Sequence, residues 1–420
     1  MLKITDTFKQ SLLEVYGEKE NSCERFMALT KKYKEYFHME EPEYFTSPGR
    51  MELIGNHTDH NGGKVLAASI QMDTKAAAGP SRTETVTIFS EGYEQPFMLN
   101  LEELETIPGD EGTLSLLAGI FQGCRACGFH VHGFQACIST NVLSAAGVSS
   151  SASFEMLICA IINYYFNENK MSCIDYARIG RYAENHYWNK QSGLMDQLAC
   201  AAGGMIFLDF TDSEFPCVER MDPESILEGY DIILVNTGKG HGDLSRDYSE
   251  IPSEMKKAAA QMGKTVLSEA SLPLLLKKLS MIRENCGDRS FLRSLHFYEE
   301  NNRVDKAKAA LINRENRFGD FLANITASGN SSWKYLQNCH IPSDTTEESV
   351  CVALALSELF IQNAGRGACR VHGGGFAGVI LSIIPSGASQ DYIRFMSEYM
   401  GGKNIFRMSL RDTGAIHLKQ

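Results

Sequence analysis

The chain has 420 residues, enough for two domains or one large one. Hydrophobic residues make up 43% and charged residues 22%, the balance of a globular protein and not of a disordered or fibrous one. A net charge of −12 argues against a general nucleic-acid-binding role, because phosphate backbones demand basic patches, while a local basic pocket for a small anion stays compatible with it. The twelve cysteines include one lone C-x-x-C, Cys124 and Cys127, with no second pair at zinc spacing. Free thiols fit a reducing cytoplasm. The N-terminus has no long apolar core, and no apolar run reaches membrane-spanning length, so neither a signal peptide nor a membrane partner is expected.

Residues 1–40 read as helical, with Phe8, Leu12, Leu13 and Tyr16, then Phe26, Leu29 and Tyr33, at helical spacing. A dense polar cluster with four glycines follows, from Tyr44 to Gly63. In it Arg50 is a planar, fork-shaped cation suited to a phosphate. His57 and Asp59 are short hydrogen-bonding groups on a turn-rich loop, suited to the hydroxyls of a sugar. Turn chemistry alone, or a metal held by His57, Asp59 and His60, are the competing readings. Strand-like runs come next at Val65–Ile70 and Thr85–Ser90, then a helix over 113–128 stopped at Gly128, then a strand over Val131–Ser139.

The segment from Asn141 to Glu155 organises the chain. Small residues, Gly147 and Ser149-Ser150-Ser151 stand between that strand and a largely apolar helical run, Phe154–Ile162. Unpaired N–H groups at a helix start, reinforced by the macrodipole, attract a phosphate. Serine hydroxyls there can reach a phosphate-bound magnesium ion. No Gly-x-x-x-x-Gly-Lys-Ser/Thr occurs, so this is not the common P-loop, and a capping loop before a core helix competes with the phosphate reading.

A helix over 181–187 leads to Ser192-Gly193-Leu194-Met195-Asp196-Gln197. Asp196 begins an apolar helical run. It reads either as a first-turn capping residue or as a carboxylate that orients a hydroxyl proton. Glu184 is a candidate magnesium ligand or a solvated helix charge. Strands are expected over 205–210 and 230–237, before a glycine-rich loop, Thr237–Asp243, too loose for a nucleotide fingerprint. Residues 251–340 read as mostly helical. Finally, His372-Gly373-Gly374-Gly375-Phe376-Ala377-Gly378 precedes a buried-type strand, its glycines permitting close backbone approach or forming a bulge.

Taken in this order, the segments resemble the GHMP small-molecule kinases, and within them the galactokinase branch. Pro48-Gly49-Arg50-x-x-Leu-Ile-Gly-x-His57-Thr58-Asp59 is similar to its sugar signature. Gly147-Val148-Ser149-Ser150-Ser151-Ala152 resembles its phosphate loop. Gly193-Leu194-Met195-Asp196-Gln197 and Gly373-Gly374-Gly375-Phe376-Ala377-Gly378 resemble two further motifs.

The resemblance implies an α/β (α+β) protein with the two-lobed GHMP kinase fold and its active site in the interlobe cleft. The expected domains are 1–212 and 213–420. It implies transfer of the ATP γ-phosphoryl group to the anomeric hydroxyl of galactose, with ATP and Mg2+ as cofactors and a small sugar as partner. Asp196 then matches the catalytic aspartate, with Arg50 beside it. Ser151 and Glu184 match magnesium-binding positions, and residues 147–152 match the cradle of the nucleotide phosphates. His57, Asp59, Gly193 and Tyr248 match sugar contacts.

Phosphoryl transfer needs positioning and charge stabilisation more than covalent help, and these residue types supply both. Asn56 stands where the family has an acidic residue expected to meet the sugar's 6-hydroxyl. An amide still hydrogen-bonds a hydroxyl, but it also tolerates a substrate carboxylate. Two charges about 4 Å apart would repel by roughly 4 kcal/mol at an effective dielectric near 20. A galacturonate or N-acetylgalactosamine kinase, a non-catalytic sugar- and ATP-binding regulator, and a metal-dependent hydrolase are therefore the alternatives. His60, Ser192 and Ala377 are milder departures, standing for tyrosine, cysteine and glycine.

Overall fold

The computed structural model describes residues 5–17, 22–38, 41–109, 112–143, 147–188, 192–212, 214–221, 228–238, 245–312, 317–344, 346–376 and 378–420. The glycine-rich loop expected after residue 237 falls largely outside them, as does Ala377.

Two helices open the chain, α1 (Asp6–Tyr16) and α2 (Ser22–Phe37). Strands β1 (Glu43–Ile54), β2 (Lys64–Pro80), β3 (Thr85–Ser90) and β4 (Phe97–Asn100) follow. Next come α3 (Thr113–Ala126), β5 (Phe134–Thr140), α4 (Ser150–Phe166), α5 (Cys173–Tyr187), α6 (Met195–Ala202), β6 (Met205–Asp209), β7 (Cys217–Met221) and β8 (Tyr230–Asn236). A helical stretch holds α7 (Ser245–Gln261), α8 (Leu272–Lys277), α9 (Leu279–Cys286), α10 (Asp288–Ile312), α11 (Arg317–Ser331) and α12 (Ser349–Ala364). The chain ends with β9 (Ala368–His372), β10 (Val379–Pro385), α13 (Ser389–Met400), β11 (Ile405–Met408) and β12 (Ile416–Leu418).

The strands form two mixed-in-sequence sheets. The larger runs β12-β1-β2-β5-β3-β4, with β6 added along the N-terminal end of β2 and β7 beyond β6; the smaller runs β11-β8-β10-β9. β1 is buried along nearly its whole length. It therefore shows no period-2 alternation, and Pro48 further hides it from a sequence reading. The proline is tolerated because the β1–β2 register shifts between Pro48 and Arg50. The strand expected from Val131 instead starts at Phe134. Gly133 lies flat against the Thr83 and Thr85 backbone, where a Cβ would come within 2.0 Å of the Thr83 carbonyl oxygen.

One apolar cluster, built largely from α3, α4 and α5, covers a face of the larger sheet. A second joins both sheets, with Met51 and Leu66 of the larger, Leu234 and Leu381 of the smaller, and Val304 and Phe321 of α10 and α11. This shared core presses the β9–β10 turn against the turn that follows β1. β7 and β12 both lie beyond residue 213 and pair in the larger sheet.

Candidate active site

Arg50 projects from β1, held there by its backbone N–H to the Val148 carbonyl at 3.2 Å. Its guanidinium meets Asp196, in the first turn of α6, as a fork: Nε to Oδ1 at 2.8 Å and Nη2 to Oδ2 at 2.6 Å. Arg50 is 6% exposed at its side chain and Asp196 28%, so the pair sits on the floor of an opening and not within the core. Burial pulls the Arg50 pKa down, and the Asp196 carboxylate outweighs it, leaving the arginine above its ordinary value.

The phosphate loop closes onto this pair. The Gly147 carbonyl accepts from Arg50 Nη1, and the Ser149 hydroxyl donates to Asp196 Oδ2. Ser149 is the residue before α4 and has φ +56°, an uncommon conformation for a side chain with a Cβ. Ser151, the second residue of α4, donates to Glu184 Oε1 of α5 at 3.1 Å. Gln197 of α6 braces this corner, its amide reaching Glu155 Oε2 at 3.1 Å and Glu184 Oε2 at 3.3 Å. Ser151 and Glu184 thus present hard oxygen donors side by side, the set magnesium prefers.

The turn after β1 supplies the other wall. Asp59 sits against Gly193, where an added Cβ would fall 1.7 Å from Asp59 Oδ2. Burial, then the nearby Asp196 charge, push the Asp59 pKa up to about 6. His57 Nε2 donates to the Gly374 carbonyl at 3.0 Å, which fixes its tautomer. His57 Nδ1 then accepts from His60 Nε2 at 3.3 Å, and His60 Nδ1 accepts from the Asn61 amide at 2.9 Å. Burial holds His57 neutral, its pKa lowered to about 4. With those ring nitrogens engaged, they are not offered to a metal. Among the described residues no group of three or more His, Cys, Asp or Glu is arranged to hold one. Tyr248 of α7 donates to the Gly375 carbonyl at 3.0 Å and packs over Gly374, where a Cβ would come within 1.9 Å of its ring. The close approach expected of the glycines holds at Gly374 and at Gly375, where a Cβ would come within 2.1 Å of the Asn338 carbonyl oxygen.

The side chain of Asn56 is wholly buried. The amide nitrogen donates to the Gly373 carbonyl at 2.7 Å and to both Glu52 oxygens at 3.3 Å. The amide oxygen accepts from Asn338 at 2.8 Å. Both ends of the Asn56 amide are thus engaged within the protein. Glu52 is in turn paired with Arg370 at 2.7 Å. Reading along the chain could not supply these partners. Asn338 and Gly373 lie 282 and 317 residues from Asn56, and no local pattern announces such contacts.

A family model, the galactokinase galactose-binding signature, matches residues 31–80. A second, the GHMP kinases N terminal domain, matches 114–204. The galactokinase of Lactococcus lactis subsp. lactis (strain IL1403) is 30% identical over 366 residues, covering 85% of this chain and 87% of the relative. That of Limosilactobacillus fermentum (strain NBRC 3956 / LMG 18251) is 30% identical over 400 residues, covering 91% and 96%. The crystal structure of Lactococcus lactis galactokinase complexed with galactose superposes with a TM-score of 0.81 at 24% identity, over 94% of this chain and all (100%) of that one. The Methanococcus jannaschii mevalonate kinase structure shares the fold at a TM-score of 0.59 and 14% identity, over 88% and 98%.

Proposed function

The chain belongs to the galactokinase family of the GHMP kinases, ATP-dependent sugar kinases, and from that premise we propose how its own residues carry phosphate to a sugar. The γ-phosphoryl group of ATP passes to the anomeric hydroxyl of galactose. The observation that carries this reading is the forked Arg50–Asp196 pair beneath the start of α4.

Asp196 Oδ2 already accepts a hydroxyl proton, that of Ser149. The anomeric hydroxyl of the sugar would take that place. Asp196 orients it and draws its proton as the oxygen attacks phosphorus. Arg50 Nη1, now satisfied by the Gly147 carbonyl, would turn to an oxygen of the transferred group and offset its developing charge. The backbone N–H groups at the start of α4 hold the remaining phosphate oxygens. Ser151 and Glu184 are the residues that would hold Mg2+, which supplies further charge neutralisation on the phosphates when bound. Asp59, beside Gly193, together with His57 and Tyr248, forms the sugar-facing wall. Asn56 acts from behind by fixing the turn. The two-lobed division near residue 212 belongs to this proposal too.

The buried Asn56 weakens the motive for a uronate substrate, because both ends of its amide are engaged within the protein. The test is ADP release with ATP, magnesium and a panel of galactose, N-acetylgalactosamine, galacturonate, glucose and arabinose. Turnover should be fastest on galactose. Turnover on galacturonate with little on galactose would overturn the substrate, and ATP binding without turnover on any sugar would favour a regulator.

A further inference from the structure

His372, the last residue of β9, is 2% exposed and lies beside the phosphate loop. Its Nε2 accepts the Glu52 backbone N–H at 3.1 Å. A neutral imidazole that accepts at Nε2 carries its proton on Nδ1. That Nδ1–H is buried and has no hydrogen-bond partner among the described residues. It faces Gly147, where an added Cβ would stand 3.3 Å from Nδ1. A buried donor left unmade is costly, and each one in a native structure calls for an explanation. Burial and the Arg50 and Arg370 charges hold the ring neutral, while Asp196 acts in the opposite sense. His372 is thus within electrostatic reach of both members of the catalytic pair.

We propose that His372 is a phosphate-contacting residue, whose Nδ1–H donates to an oxygen of the transferred phosphoryl group once the Gly147 backbone moves aside. This rests on the phosphoryl-transfer reading above. Two features of the loop agree with a movement of this kind. The Gly147 carbonyl and Ser149 hydroxyl occupy the Arg50 and Asp196 groups that substrates need, and Ser149 holds an uncommon positive φ. A side chain at residue 147 would press on the ring, its Cβ 3.3 Å from Nδ1, and the φ of +67° there already favours glycine.

Two substitutions separate contact from support. His372→Gln can keep an acceptor for the Glu52 N–H but places no donor at the Nδ1 position. His372→Asn places an amide N–H near the Nδ1 position but abandons Glu52. The measurements on the full chain are melting temperature, kcat/KM for ATP with galactose, and the ratio of ATP to ADP affinity by calorimetry. For Gln the proposal expects an unchanged melting temperature and a loss of about 10- to 100-fold in kcat/KM for ATP, the range of one hydrogen bond to a charged group. Its preference for ATP over ADP should fall in parallel. For Asn it expects a lower melting temperature and a smaller loss toward ATP. A Gln variant with wild-type kinetics and ATP preference would overturn the proposal. So would both variants losing stability and activity in step, the mark of a structural role. If the wild type turns over no sugar, the kinase reading fails, and the ATP-to-ADP affinity ratio still decides the role of His372.

Discussion

Asp59 shows how much a single carboxylate in this opening depends on its surroundings. Its pKa is pushed up to about 6 from the ordinary 3.8, by burial and then by the Asp196 charge. The folded protein therefore holds this proton more tightly than the unfolded chain. The cost of ionising it is fully present above about pH 6 and is gone below the ordinary value. A carboxylate that accepts sugar hydroxyls must be ionised, so galactose affinity should be flat above that pKa. It should weaken as pH falls below about 6, by at most about tenfold per unit. Calorimetric titration from pH 8 to 5 checks this, and a flat profile would remove Asp59 from the sugar wall. Gly193 bears on the same group. Because a Cβ there would overlap Asp59 Oδ2 at 1.7 Å, Gly193→Ala should push the carboxylate aside. Steady-state kinetics should then show KM for galactose raised by about tenfold or more, with a much smaller change in KM for ATP.

At the scale of elements, α10 holds the sugar turn in place from outside the motifs. Glu300 accepts the backbone N–H groups of Gly55 at 3.1 Å and Asn56 at 3.4 Å, and pairs with Arg303 at 2.7 Å. His296 donates to the Asn56 carbonyl at 2.9 Å. Burial alone would raise the Glu300 pKa, but His296, Arg303 and Arg370 bring it down to about 2. Its stabilising contribution is therefore present above the ordinary 4.5 and is lost as pH falls toward about 2. Glu300→Ala should cost about 3–5 kcal/mol in denaturant unfolding at pH 7, since it strands a buried arginine and two backbone donors. Unfolding at pH 2 should show a much smaller difference from the wild type. Equal costs at both pH values would mean that the charge of Glu300 is not what anchors the turn.

This brace explains what was and was not legible along the chain. Arg50, Ser151, Glu184 and Asp196 stand in short segments whose composition already points to phosphate chemistry, and the structure brings them to one corner. Most helices were legible because their apolar residues recur locally. β1 was not, because burial on both faces erases alternation. The buried contacts of Asn56, the brace from α10 and the buried donor of His372 were hidden for another reason. Each depends on partners hundreds of residues away, which no sequence pattern records.

Across the whole molecule, the two sheets meet through the turn after β1 and the turn between β9 and β10. Asn56 reaches Gly373, His57 reaches Gly374, and Glu52 pairs with Arg370 across that seam. The larger sheet and its helices carry the phosphate loop and the Arg50–Asp196 pair, while α7 and the glycine turn bring Tyr248 over the sugar wall. In the proposed reaction, sugar and nucleotide fall to neighbouring but separate groups. Removing the reacting carboxylate should then slow the chemistry and spare sugar binding.

The most direct measurement is turnover and galactose binding by Asp196→Asn, side by side. The amide keeps the shape of the side chain but cannot draw a proton from the anomeric hydroxyl. The expected result is a fall of about 10²–10⁴ in kcat with galactose affinity kept within severalfold. A folded variant that retains wild-type kcat would contradict the assignment of Asp196 and, with it, the phosphoryl-transfer geometry built around Arg50.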